Sequence, residues 1–261
     1  MSLNLFLFIS IAINLIIILI INKKKIKTFF YRSKLDVVDV TRLHYIFELN
    51  TISKNLKGPK QEAIIKSFAI TSSNRIVGMT SDYEAWIIST LSKISKNIFE
   101  FGTCSGKTTY LMSLNSPKDA KIISLTLKPD DMNNLNKNNK DNNVSYRNII
   151  NESIYQKFLF SGTCAENKIE VKFINSLNFN HSQYLEQMDL IFIDGGHTYS
   201  IVKNDSEKSF QMIKPNGIIL WHDYVPGKKS ARDVVKYINE ISKKKKLKKI
   251  KNTSLCFFKN D

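Results

Sequence analysis

Phe99-Glu100-Phe101-Gly102-Thr103-Cys104-Ser105-Gly106-Lys107-Thr108-Thr109 is the stretch whose reading decides the fold. A short apolar run, Ile98–Phe101, ends at Gly102, a second glycine follows at Gly106, and a helical stretch, Thr108–Leu114, begins at once. A strand that feeds a helix through a glycine turn leaves backbone N–H groups facing a ligand at the helix start. Further apolar runs lie at Lys121–Thr126, Glu170–Ile174, Leu190–Ile193 and Gly217–Trp221. Helical stretches are expected at Ile149–Phe160 and Ile201–Ile213. Ser81-x-x-Glu84 is a capping box ahead of apolar Ile87, Ile88, Leu91 and Ile94, and Ser230-x-x-Asp233 caps another helix carrying Val234, Val235, Ile238 and Ile241. Two last strands, Leu247–Ile250 and Ser254–Phe258, meet at Asn252-Thr253 and read as a hairpin. Strand–helix alternation of this kind implies an α/β fold with a mostly parallel, seven-stranded sheet covered on both faces and closed by an antiparallel hairpin. Lys128–Asn143, rich in Asn, Asp and Lys, reads as an exposed loop or helix edge.

Composition narrows the function. The chain has 261 residues, 43% apolar and 11% aromatic, enough to bury a core. Cys104, Cys164 and Cys256 are far apart with no C-x-x-C, which excludes a disulfide framework and a Cys-based zinc site. The formal charge is +16, but nearly all of the 39 basic residues are Lys in a chain also crowded with Ile and Asn, the mark of compositional drift. No basic face with interleaved aromatics and no nucleic-acid module is visible, so no nucleic-acid partner is expected.

Leu3 to Ile21 is almost unbroken apolar sequence, about 28 Å long as a helix, close to the thickness of a bilayer's hydrocarbon core. Lys23, Lys24, Lys25 and Lys27 follow directly. The expectation is a single-pass membrane anchor over 1–22 with the rest of the chain cytoplasmic, a linker with short helices over 23–79, and one domain over 80–261.

Two families use a turn like the one at 102–106. A phosphate-binding loop needs G-x-x-x-x-G-K-[ST], and here the spacing is one residue short, G-x-x-x-G-K-T. Leu190-Ile-Phe-Ile-Asp194 would be its partner strand in an NTP-binding protein. The other pattern, E-x-G-x-x-x-G, resembles the first motif of class I S-adenosylmethionine-dependent methyltransferases. Asp194-Gly195-Gly196-His197-Thr198-Tyr199 with Val202 and Asp205, and Pro215-Asn216-Gly217 leading to His222-Asp223-Tyr224, resemble a bacterial group of such enzymes. That group includes O-methyltransferases and a cephalosporin-hydroxylase-like branch, and the resemblance covers about Thr80 to Phe258.

The resemblance implies a Rossmann-like fold with S-adenosyl-L-methionine as cofactor. It sets Glu100 beside the methionine portion, with Gly102 and Gly106 letting the backbone approach and Ser105, Thr108 and Thr109 as lining. Thr126 stands where the second strand commonly ends in a ribose-binding acid, with Asp130 or Asp131 as substitutes. Asn175-Ser176 is placed at the adenine edge. Asp194, His222 and Asp223 end two strands at the crevice and are the expected ligands of a divalent metal, Mg²⁺ or Mn²⁺, an imidazole suiting Mn²⁺ better. Asp194 also borders the cofactor. His197 or His222 would be the general base, with Asp194 and Asp223 completing the catalytic set. Asp205 reads as solvated or helix-pairing. The implied activity is methylation of a hydroxyl on a small molecule, a saccharide or a lipid-linked acceptor. An NTP-binding protein and a decayed, membrane-tethered binding module are the other readings.

Overall fold

Alternate residues of each central strand are buried on opposite faces, the pattern required of a sheet covered by helices on both sides. Ile98, Ile122, Leu190, Phe192, Ile218 and Leu220 pack on one face with Ile87, Ile88 and Leu91. Phe99, Phe101, Ile191, Ile193, Ile219 and Trp221 pack on the other with Val202, Val234 and Ile238. The computed structural model describes residues 3–30, 32–49, 63–70, 75–78, 80–128 and 138–261. They fall into two units, Met1–Lys34 and Leu35–Asp261.

The first unit holds α1 (Leu3–Phe30). Its apolar side chains are exposed, Phe6 at 64% and Phe8 at 72% among them. The expected spanning helix is met here by a helix. Among the described residues, however, no helix is long and apolar enough to cross a membrane; the side chains of α1 are described from 5 to 20.

In the second unit the elements run β1 (Asp36–Val38), α2 (Leu43–Ile46), β2 (Ala69–Ile70), β3 (Arg75–Ile76), α3 (Asp82–Ser92), β4 (Asn97–Phe101), α4 (Lys107–Asn115), β5 (Lys121–Thr126), α5 (Asn143–Glu152), β6 (Ile169–Phe173), β7 (Met188–Ile193), α6 (Tyr199–Met212), β8 (Ile213–Trp221), α7 (Arg232–Ile241), β9 (Lys248–Ile250) and β10 (Cys256–Lys259). The main sheet has the order β1-β9-β10-β8-β7-β4-β5-β6. Strands β8, β7, β4, β5 and β6 are mutually parallel, and β10 runs antiparallel against β8 and β9. The sheet therefore has eight strands, not seven. The extra one, β1, pairs parallel with β9 from within the stretch read as linker. Three residues carry too little alternation to announce a strand, and its partner lies more than two hundred positions away.

Three other expectations move. The helix expected over Ile149–Phe160 begins earlier, where the Asn142 side chain accepts from Val144 N at 2.8 Å, and it ends at Glu152. Ser230 does not cap α7: a 3₁₀ turn at Lys229–Ala231 precedes it, and the Ser230 carbonyl accepts from Ser145 Oγ at 3.1 Å. Asp141 is buried, not part of an exposed loop, and accepts from Ser200 N and Oγ at 2.9 and 2.7 Å. The capping box at Ser81 and Glu84 forms as expected.

Candidate active site

The turn after β4 is fixed by two backbone bonds, Gly102 N and Thr103 N both donating to Leu125 O at 3.0 and 3.1 Å. Gly102 has φ +101°, and a Cβ there would lie 2.3 Å from Asp194 O, so the ends of β4 and β7 touch backbone to backbone. Such closeness and such a φ leave no room for any other residue. At the carboxyl ends of β4, β5 and β7, where an open parallel sheet binds its ligand, lies a cavity open to solvent. Of the residues expected at the cofactor, Gly102, Thr126, Asn175, Ser176 and Asp194 line it.

Glu100, Ser105, Gly106 and Thr108 do not line it. Phe158 and Phe160 cover the back of the turn: a Cβ on Gly106 would meet Phe160 at 2.7 Å, and Leu159 N donates to Ser105 O at 3.0 Å. Asp130 and Asp131 lie outside the described residues. Asn175 lines the cavity but spends its Oδ1 on Leu177 N at 3.0 Å. Lys107, which a phosphate loop would aim at its ligand, is buried and donates its Nζ to Thr80 O at 3.1 Å. The cation of that reading is turned away from the cleft.

Glu100 is fully buried beneath the turn. Its Oε2 accepts from Thr109 Oγ1 and, at 2.5 Å, from Ser124 Oγ, which in turn is 2.6 Å from Thr103 Oγ1. Burial pushes the carboxyl up to about 8, against those hydrogen bonds. Burial thus favours its protonated form; the residue does not line the cavity, and its Oε1 has no hydrogen-bond partner among the described residues. A folded-state value raised from about 4.5 to about 8 means that the folded chain holds a proton that the unfolded chain has released. Stability tied to this group is full below about pH 4.5 and lost as pH rises through 8. Glu100→Gln, which mimics the protonated acid, should therefore match wild type near pH 5 and exceed it at pH 9 by a few kcal/mol, on the order of the shift. Thermal melts at the two pH values check this, and equal melting at both would refute it.

Asp194 ends β7, and His222-Asp223 follows β8, anchored by His222 N donating to Ile193 O at 3.0 Å. His222 Nδ1 lies 3.0 Å from Asp194 Oδ1, and His222 Nε2 lies 3.7 Å from Glu84 Oε2. His197 Nε2 lies 3.6 Å from Asp194 Oδ1 and 3.4 Å from Asp223 Oδ2. Lys228 Nζ donates to Asp223 Oδ1 at 3.2 Å. Burial would raise the Asp194 carboxyl, but His222 and His197 outweigh it and hold it well below the usual carboxylate range. Burial likewise disfavours a charged His222, yet Asp194 and then Glu84 hold it well above 6.5. His222 thus faces Asp194 as a charged partner, and His197 is the imidazole that stands nearer Asp223. The atoms of Asp194, His197 and Asp223 lie close enough together to converge on a cation, and His222 Nδ1 stands beside them, 3.0 Å from Asp194 Oδ1 and 3.8 Å from Asp223 Oδ2.

Two residues take places that the sequence reading did not give them. Glu84 is more than a capping residue: its Oε1 accepts from Ser254 N and Oγ, both at 2.6 Å, and burial is overcome by His222 and Ser254, which hold its carboxyl well below the usual range. Asp205, expected to be solvated or helix-pairing, is instead buried in the cavity wall; the polar run around it on α6 reads as an exposed helix face.

A family model described as a methyltransferase domain matches residues 99–224. No curated protein matches the sequence. Among solved structures, the chain resembles an O-methyltransferase of Bacillus cereus in complex with SAH, at 14% identity and TM-score 0.47, over 69% of this chain and 81% of that one. It resembles an SAH-bound methyltransferase of Podospora anserina at 15% identity and TM-score 0.49, over 70% and 80%. A Streptomyces achromogenes O-methyltransferase involved in tomaymycin synthesis, in complex with SAM, gives 10% identity and TM-score 0.47, over 69% and 81%.

Proposed function

We propose that the chain is a class I, S-adenosylmethionine-dependent methyltransferase that methylates a hydroxyl oxygen, a reading supported by the match of residues 99–224 to a methyltransferase-domain model. The observation that supports this reading is Asp194, which lines the cofactor cavity and also faces both histidines of the acidic cluster. One residue thereby joins the place for a methyl donor to the place for an acceptor. The acceptor oxygen forms its bond to the methyl carbon as the carbon–sulfur bond breaks, and the sulfonium leaves as a neutral thioether. The hydroxyl proton passes to His197 Nε2, and the resulting imidazolium is stabilised by Asp194 and Asp223. His222, already charged, holds the Asp194 carboxylate in place. In-line alignment of donor and acceptor is the protein's main contribution.

Two carboxylates and one imidazole are a donor set suited to Mn²⁺ and usable by Mg²⁺. Asp194, His197 and Asp223 would hold such an ion, which would acidify the hydroxyl; His197 would then be a ligand in place of the base, its Nε2 lone pair serving one role or the other. We place the acceptor among small molecules, saccharides and lipid-linked compounds, at the cytoplasmic face of a membrane. What supports that location is the apolar run Leu3–Ile21 followed by Lys23, Lys24, Lys25 and Lys27.

Calorimetric titration of the full chain with S-adenosylmethionine, its demethylated product and ATP, each with and without Mn²⁺ and Mg²⁺, tests the reading. Binding of the first two in the micromolar range is expected, without binding of ATP. ATP alone would revive the phosphate loop, and silence from a folded sample would indicate a decayed binding module.

A further inference from the structure

We infer that Asp205 is a specificity residue that accepts a hydrogen bond from the exocyclic amino group of the cofactor's purine. This rests on reading the cleft as an S-adenosylmethionine site and adds to it the group that selects the base. Asp205 is 1% exposed on α6 and lines the cavity. Its Oδ1 accepts from Asn204 Nδ2 at 2.8 Å, and the same amide donates to Ser176 O at 3.1 Å, which ties α6 to the loop after β6. Its Oδ2 lies 3.4 Å from the point where a side chain on Gly195 would start, so the absence of one there opens the carboxylate to the cleft.

Ile149, Ile174 and Ile201 line the same cavity, giving it apolar wall. An apolar slot with a carboxylate in its wall suits a flat aromatic ring that carries an N–H donor. The Ser176 side chain also hydrogen-bonds the carboxylate, and Lys208 acts on it through space while donating its Nζ to Ser176 O, Leu177 O and Phe179 O. Burial raises the Asp205 carboxyl only to about 6, so it is an ionised acceptor at pH 7.5. Among the described residues, the other acid lining the cavity is Asp194, which faces the two histidines, and Thr126 at the end of β5 brings no charge.

The test compares binding of S-adenosylhomocysteine and S-inosylhomocysteine, which carries a carbonyl oxygen in place of the amino group, to the full chain at pH 7.5. Wild type should prefer the adenosyl compound by about tenfold or more, because the inosyl oxygen would face a carboxylate. In Asp205→Asn the preference should shrink to about twofold or invert, since the amide can donate to that oxygen. A purely structural role would weaken both compounds alike and leave the ratio unchanged. Equal binding by wild type, or an unchanged ratio in the variant, would overturn the inference; the first of these would direct the carboxylate to the ribose hydroxyls. If neither compound binds folded wild type, it is the cofactor reading that fails. Should Asp205→Asn not fold, Asp205→Ser gives the same ratio without the buried charge.

Discussion

Gly102→Ala should lower the melting temperature by about 10 °C and abolish cofactor binding. The new Cβ would stand 2.3 Å from Asp194 O and 2.6 Å from both Asp194 C and Gly195 Cα. These are backbone atoms, and they cannot retreat cheaply: Asp194 N donates to Phe101 O at 2.9 Å, and Gly102 N to Leu125 O. The φ of +101° adds strain that no L side chain tolerates well. Together these cost on the order of 3–4 kcal/mol, and each kcal/mol is worth about 2–4 °C in a chain of this size. Moving β4 and β7 apart also shifts Asp194 off the cavity wall. Thermal denaturation and titration with S-adenosylhomocysteine check both halves, and a melt within a degree or two of wild type would mean that the two strand ends do not meet as described.

Asp194→Asn is expected to reduce methyl transfer by about 10²- to 10⁴-fold while cofactor affinity changes much less. The amide keeps the shape of the cleft but removes the charge that faces His197 and His222. Stability should fall as well, by about 3 kcal/mol, because a buried imidazolium loses its nearest partner. The sign of the pH dependence follows from both groups. The Asp194 carboxyl is depressed below 3.8, so its contribution is present above that value and is lost as pH falls beneath it. The His222 ring is raised above 6.5, so its contribution is full below 6.5 and is lost as pH rises through its folded value. The gap between wild type and variant should be widest between about pH 4 and 6.5. Melts from pH 3 to 9 would show it, and a constant gap would exclude the ion pair as its source.

The sequence conveyed the fold wherever a physical signal was local. Apolar runs at 98–101, 121–126 and 190–193 become β4, β5 and β7, and the Asn252-Thr253 turn joins β9 to β10 with Asn252 at φ 62°. It failed where the partner was remote: β1 gains its meaning from β9, and α7 takes Asp233 as the group that receives Asn142 N and Tyr199 N, not Ser230 as a cap. In the site, strand ends placed Asp194 and Asp223 well, because a parallel sheet aims them at one crevice. Side-chain direction was not legible, so Glu100 was set at the cofactor although it points beneath the turn. Nothing near His222 in sequence announces Glu84, the carboxylate that faces its second nitrogen.

The bond from Ser254 to Glu84 joins positions 170 apart. A ribosome adding roughly 5–20 residues per second makes Glu84 wait on the order of ten to thirty seconds before its partner exists. Through that interval strands β4 to β8 can already assemble, but the start of α3 and the ring of His222 lack the clasp that the final hairpin supplies. Assembly of the cluster around Asp194 thus waits for the hairpin of β9 and β10, and a chain stalled before β10 would hold a cleft whose His222 lacks that clasp.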